Sequence, residues 1–245
     1  MAGLGSGTAK RFYKTAVASA DVDDRAGLGG FVIALDGRPL RTPKKASLHL
    51  PSQALAEAIA GEWAAQAETI QPRTMPLTAL ACTAVDLVTP RRGEAVAEIA
   101  AYGETDLVCY RAEEPPALVA QQRATWQPLL DWAVLTFDAP LAVTTGILPA
   151  AQPEAAVASL AQAVAAHDDL ELAALATAVK ASASLVIGLA LSHGRVSAAA
   201  AFEAAELDES FQIERWGEDP VAAERRDLVR AELDAAARFL ALLRG

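Results

Sequence analysis

The sequence predicts an α+β fold, with a small antiparallel sheet in the N-terminal part and an all-α helical bundle after it. Two observations predict this class. Strand signals are concentrated in the first 50 residues, where the apolar run 31–35 meets a turn at Asp36 and Gly37. Farther along the chain, N-cap residues, prolines and helical spacing recur instead. A chain of 245 residues is long enough for two domains, which we place at 8–88 and 89–245.

The N-terminal part contains three or four predicted strands. Residues 31–42 form a hairpin, because Asp36 and Gly37 are typical of a two-residue turn. Residues 12–18 can form another strand, and residues 46–50 alternate with the period of two that is typical of a strand. Such a sheet needs a helix over one of its faces.

The helix that covers the sheet follows directly in the sequence. Ser52 is a suitable N-cap residue, and Leu55, Ile59 and Trp63 then recur along one helical face. We therefore expect Trp63 in the core between this helix and the sheet.

The C-terminal part is predicted to be helical, apart from a short strand-like stretch at 106–111. Asp168 and Glu171 form a capping-box pattern, and Pro128 is expected to break or kink its helix. The predicted helices span 76–89, 94–102, 117–138, 153–167, 168–192, 197–217 and the residues from 220 onward.

Composition excludes several classes of function. The net charge of -10 repels phosphate backbones, so we expect no nucleic-acid partner. No P-loop pattern or other nucleotide motif is present, and we expect no cofactor. Residues 1–10 lack the apolar stretch of a signal peptide, and no apolar run is long enough to span a bilayer. These features predict a cytoplasmic protein, with the mitochondrial matrix as the eukaryotic equivalent.

Catalytic and metal-binding residues are not evident. His49, His167 and His193 lack the spacing of a metal motif. Cys82 and Cys109 lie far apart, so we expect two free, buried thiols. We therefore predict no catalytic residue and no metal site.

Two alternatives stay open. A carboxylate-based hydrolase could use Asp106 and Glu113 at a site between the two domains, and a deep polar pocket would favour it. A shallow, mostly apolar groove would favour a protein that binds other proteins. Among such proteins, a general interaction scaffold differs from a chaperone in not selecting one client.

Three tryptophans stand in segments that also carry amides and carboxylates. They are Trp63, Trp126 and Trp216. Because aromatic side chains bury the largest areas, core packing is the expectation for each of them taken alone.

These segments, in this order, resemble the chaperones that assemble the catalytic head of the F-type ATP synthase, called assembly factor 2 in mitochondria. The resemblance runs from about Arg11 to the last helix. The matching residues are Arg11-Phe-Tyr-Lys, Leu35-Asp-Gly-Arg-Pro-Leu, Thr42-Pro, Glu62-Trp with Gln66, Met75-Pro-Leu, Thr105-Asp-Leu, Cys109-Tyr-Arg, Gln122 with Trp126 and Pro128, Leu207-Asp-Glu, Phe211-Gln and Trp216-Gly.

The resemblance implies an orthogonal arrangement of the helical bundle and a function without catalysis. A member of this family binds the unassembled alpha subunit until the beta subunit replaces the chaperone, without hydrolysing ATP. We expect a monomer that contacts the client through residues 207–217. The residues that we expect to bind the partner are Asp208, Glu209, Gln212 and Trp216.

Overall fold

The computed structural model describes residues 9–21, 30–146 and 150–245. The described residues of Met1–Arg92, together with Arg238–Gly245, form one compact unit, and those of Gly93–Ala237 form a second. The predicted start of the first domain at residue 8 lies outside the described residues, as do the first eight residues of the N-terminal segment. The predicted domain division after residue 88 stays a prediction.

A three-stranded antiparallel sheet lies in the first unit, in the order β1-β2-β3. Its strands are β1 (Ala16–Ala20), β2 (Phe31–Leu35) and β3 (Arg38–Pro39). The predicted hairpin is confirmed, because Leu35 pairs with Arg38 across the turn. The strand predicted at 12–18 begins later, since the backbone N–H groups of Lys14 and Thr15 donate to the Asp36 carboxylate.

The strand predicted at 46–50 is wrong. This segment makes two isolated bridges, one between Ser47 and Arg41 and one between Leu50 and Phe31. Alternation of apolar residues is enough to bury Leu48 and Leu50, but the segment does not form a continuous ladder.

Helix α1 (Gln53–Ala64) packs against β1 and β2, as predicted. The Ser52 side chain accepts a hydrogen bond from the Leu55 N–H, which confirms the N-cap. Ile59 is fully buried and Trp63 is buried. The Tyr13 hydroxyl donates to the Trp63 carbonyl over 2.7 Å. The Ser52 hydroxyl also donates to the carbonyl of Leu242, so the end of the chain joins this unit.

The remaining elements are mostly helical, and the α+β class is confirmed. Two short strands, β4 (Tyr110–Arg111) and β5 (Thr144–Thr145), pair in parallel. The helices are α2 (Pro76–Thr83), α3 (Arg92–Ala100), α4 (Pro116–Phe137), α5 (Glu154–Ala165), α6 (Asp169–Ser182), α7 (Leu185–Ser192), α8 (Ala198–Ala205), α9 (Leu207–Trp216) and α10 (Pro220–Arg244).

Three predictions about helix continuity need correction. The helix predicted over 168–192 is two helices, because Ala183 adopts a left-handed conformation with φ 52° and Ser184 caps α7. The helix predicted over 197–217 is also two, with a break at Glu206. Helix α4 continues through Pro128, so the break predicted there is wrong, whereas the alternative of a kink stays a prediction. The capping box of Asp168 with Glu171 is confirmed at the start of α6.

Two buried carboxylates fix helix N-termini that are distant in sequence. Glu62 accepts from the backbone N–H groups of Leu77 and Thr78, both over 2.8 Å, in the first turn of α2. Asp106 accepts from the Val186 N–H over 2.9 Å in the first turn of α7. The free N–H groups and the dipole at a helix start both favour a negative partner. These contacts position α2 and α7 within their units.

Candidate functional site

The segment predicted to contact a partner forms helix α9 and its C-terminal turn. Leu207 and Phe211 are buried, and their spacing of four residues places both on the inner face. The helix ends where Gly217 adopts φ 85°, a conformation that favours glycine. The inner face is therefore anchored, and the opposite face is left for solvent or a partner.

Glu206 holds the start of α9, and sequence analysis missed it. Its side chain is only 5% exposed and receives two hydrogen bonds from the Arg225 guanidinium, over 3.0 and 2.7 Å. Arg226 approaches the same carboxylate at 3.4 Å and also donates to the Ser210 hydroxyl. A two-point contact between an arginine and a carboxylate adds geometric specificity as well as interaction energy. The sequence offers one weak signal, an acidic residue at the end of an alanine-rich stretch, followed later in the chain by paired arginines.

Asp208 faces the interior of the second unit. Its carboxylate accepts a hydrogen bond from the Gln122 amide over 2.8 Å. The backbone carbonyl of Gln122 accepts from Arg111, whose guanidinium lies 5.0 Å from the centre of the Trp126 ring. Burial lowers the pKa of Arg111, and the negative charge of Asp208 opposes that shift. Asp208 is therefore engaged by its own protein.

The other three predicted contact residues share the outer face of α9. Glu209, Gln212 and Trp216, together with Ile213, follow the spacing i, i+3, i+4 and i+7. Within the described parts of the chain, Glu209 has no hydrogen-bond or ion-pair partner. Trp216 is 76% exposed. The structure thus brings Glu209, Gln212 and Trp216 together and separates Asp208 from them.

The tryptophans divide between core and surface. Trp63 and Trp126 are buried, as expected, and the Trp126 indole N–H donates to the Ala204 carbonyl over 2.8 Å. The expectation of core packing is wrong for Trp216. Tryptophan is one of the side chains that are enriched at protein interfaces.

The two carboxylates of the hydrolase hypothesis have different environments. Asp106 is fully buried, and it accepts hydrogen bonds from the Ser184 hydroxyl and the Val186 N–H. Burial raises its pKa to about 6. Glu113 is exposed. Because Asp106 has no access to solvent, it cannot contact a substrate in this structure, and its evident role is to hold α7.

A groove of about 690 Å³ lies beside α5. Alanine and valine side chains contribute most of its wall, and its two carboxylates belong to Glu104 and Glu154. It is an open and mostly apolar groove, the kind that the sequence analysis associated with a protein-binding function. Its lining residues are Glu104, Thr105, Ala150, Ala151, Gln152, Glu154, Val157, Ala158 and Ala161.

The described residues offer neither a group of metal ligands nor a reactive thiol. In residues 9–21, 30–146 and 150–245, no group of three or more His, Cys, Asp or Glu side chains is arranged to hold a metal ion. Cys82 and Cys109 are buried free thiols, as predicted. Burial raises the pKa of each to about 12, so both remain protonated and weakly nucleophilic at neutral pH.

Comparison with known proteins agrees with this architecture. The family model described as ATP12 chaperone protein matches residues 10–134. The chain belongs to the ATP12 chaperone family. This membership confirms the resemblance to ATP synthase assembly chaperones that the sequence motifs indicated. Within the described residues, no helix combines the length and the apolar composition that are needed to cross a bilayer.

The solved ATP12 structures match almost the whole chain. The crystal structure of Atp12 from Paracoccus denitrificans has a TM-score of 0.89 and 40% identity, over 96% of this chain and 98% of that one. A variant of the same protein, with lysine in place of one aspartate, gives the same values. Protein atp12, mitochondrial, of Schizosaccharomyces pombe is 24% identical over 218 residues, which are 82% of this chain and 74% of the yeast protein.

Proposed function

We propose that this protein is an assembly chaperone of the F-type ATP synthase that binds the unassembled alpha subunit through the outer face of α9. In this proposal the beta subunit displaces the chaperone, and neither ATP hydrolysis nor any other catalysis is needed. The protein acts as a monomer in the bacterial cytoplasm, or in the mitochondrial matrix of a eukaryote.

The main support is the exposure of Trp216 on a helix that is otherwise firmly anchored. Trp216 is 76% exposed, beside Glu209 and Gln212, while Phe211 is buried on the inner face. Tryptophan is among the residues that contribute most to binding energy in protein interfaces. An anchored helix loses little conformational freedom when it binds, so more of the contact energy remains as affinity.

Displacement by the beta subunit follows from competition alone. An alpha subunit that waits for its partner exposes apolar interface that would otherwise aggregate. A chaperone that covers this surface lowers the concentration of the exposed species. If the beta subunit binds the same surface more tightly, mass action releases the chaperone.

The first experiment is a capture assay with the full-length chain immobilised. Purified alpha and beta subunits are applied separately, and the missing subunit is then added to each loaded sample. We expect selective retention of alpha and its release when beta is added. Failure to retain alpha, or equal retention of both subunits, would contradict the proposal.

The Glu209→Lys variant tests the contact surface. We expect the affinity for alpha to fall about tenfold or more, because a rim charge governs recognition rather than packing. The melting temperature should stay within about 2 °C, since Glu209 has no partner among the described residues. Glu214→Lys is the matched control, because it makes the same charge change on another side of α9 and should keep affinity within about twofold. Normal binding by Glu209→Lys, or unfolding of it, would refute this assignment.

A further inference from the structure

An acidic and apolar surface extends from α9 into the start of α10. Residues 207–221 contain five carboxylates and one arginine. Trp216 and Val221 in this stretch are 76% and 75% exposed. We use the name acidic–apolar face for the outer residues of this stretch, which are Glu209, Gln212, Ile213, Trp216, Glu218, Asp219 and Val221.

The arginines closest in sequence to this face are turned toward their own protein. The Arg215 guanidinium lies 3.4 Å from the centre of the Phe211 ring and donates to the Phe211 carbonyl. On α10, Arg225 makes the two-point contact with Glu206, and Arg226 bonds to Glu206 and Ser210. These cations are thus held by internal partners.

The carboxylates of the face are not neutralised in this way. Glu209, Glu218 and Asp219 have no side-chain hydrogen bond or ion pair to any residue in the described parts of the chain. Glu218 and Asp219 are exposed. The surface therefore presents negative charge around two large apolar side chains.

We infer that the acidic–apolar face receives a basic protein surface that contains an apolar recess for Trp216. This inference rests on the proposed function, in which that surface belongs to the alpha subunit. Opposite charges accelerate encounter and set orientation, and burial of a tryptophan in a recess supplies most of the binding energy. The side chains of Glu218 and Asp219 flank the Trp216 anchor in sequence and meet the basic rim.

Other occupants do not match this chemistry. A second copy of the chain would bring an equally acidic face against the first, and each copy already carries a net charge of -10. Nucleic acids and anionic lipid surfaces are repelled by the same charge. The charge pattern thus favours a cationic protein surface.

The test measures association and dissociation rates of the full-length chain with purified alpha subunit at several NaCl concentrations. We expect the association rate to fall about tenfold between 20 and 300 mM NaCl, because salt screens attraction between opposite charges. The double variant Glu218→Gln, Asp219→Asn should associate about threefold more slowly at low salt and show a weaker salt dependence. Trp216→Ala should dissociate about 30-fold faster, with an unchanged salt dependence.

The matched control for the double variant is Glu57→Gln, Glu68→Gln, which removes the same charge from exposed positions of the first unit. It should retain the wild-type salt dependence. Capture of alpha with rates that do not depend on salt, or an equal response of both double variants, would overturn the inference while the proposed function stands. If wild-type protein captures no alpha at all, the proposed function fails, and the inference fails with it.

Discussion

Adjacent acidic residues at the start of α9 should respond in opposite ways to removal of their charge. Asp208 accepts a hydrogen bond from Gln122 over 2.8 Å, whereas Glu209 points outward without a partner among the described residues. We therefore expect Asp208→Ala to reduce stability and leave the outer face of α9 intact. We expect Glu209→Ala to leave stability unchanged and to weaken client binding.

The magnitude for Asp208→Ala follows from the groups left behind. A hydrogen bond to a charged acceptor contributes about 1.5–3 kcal/mol, and a buried donor without a partner costs about 1–3 kcal/mol. Gln122 is 1% exposed, but Asp208 is half-buried, so water can replace part of the lost contact. We expect the free energy of unfolding to fall by about 2 kcal/mol, which for a chain of this size lowers the melting temperature by about 4–8 °C. For Glu209→Ala the expected change is below about 0.5 kcal/mol.

The assay is equilibrium unfolding in urea, followed by far-UV circular dichroism, with thermal scans of both variants and wild type. The two variants remove the same charge from neighbouring positions, so each is the control for the other. Equal destabilisation of both, or an unchanged midpoint for Asp208→Ala, would refute the assignment of Asp208 to the interior.

Two further predictions concern the buried residues of each unit. Trp63→Arg should lower the free energy of unfolding by at least about 4 kcal/mol, because loss of a buried tryptophan costs about 3–5 kcal/mol and a guanidinium is placed against Tyr13. A soluble variant with the wild-type urea midpoint would contradict this. Burial raises the pKa of the Asp106 carboxyl from 3.8 to about 6. The protonated carboxyl therefore stabilises the folded state fully below about pH 4, and this stabilisation is lost as the pH rises through about 6. Between pH 5.5 and 8, wild type should therefore lose about 1 kcal/mol more unfolding free energy than Asp106→Asn, and equal pH responses in urea unfolding would show that Asp106 does not titrate there.

Local sequence signals predicted the parts of the fold that depend on neighbouring residues. The turn at Asp36 and Gly37 and the N-cap at Ser52 were found because the groups that make them are close in sequence. The break between α6 and α7 was not found, because Ala183 carries no signal for a left-handed conformation. Its cause is tertiary, since Asp106 holds the start of α7 from 80 residues away.

The candidate site was predicted only in part for the same reason, because some of its contacts join residues that are distant in sequence. The sequence motifs predicted residues 207–217 as the contact segment, which stays a prediction, and helical spacing alone places Glu209, Gln212 and Trp216 on one face. The inward position of Asp208 depends on Gln122, which lies 86 residues earlier in the chain. The role of Glu206 depends on the arginines of α10 in the same way.

The participation of the chain's last residues in the first compact unit has a consequence for protein synthesis. Phe239 is fully buried, and Leu242 accepts the hydrogen bond of Ser52, so the unit that begins the chain also contains its end. On the ribosome, packing of the first unit cannot be completed until Gly93–Ala237 has been translated, which takes on the order of 10 s at about 5–20 residues per second. An assembly chaperone with this architecture completes its own first unit only after its second unit has been made, and removal of residues 238–245 would damage packing at the opposite end of the sequence.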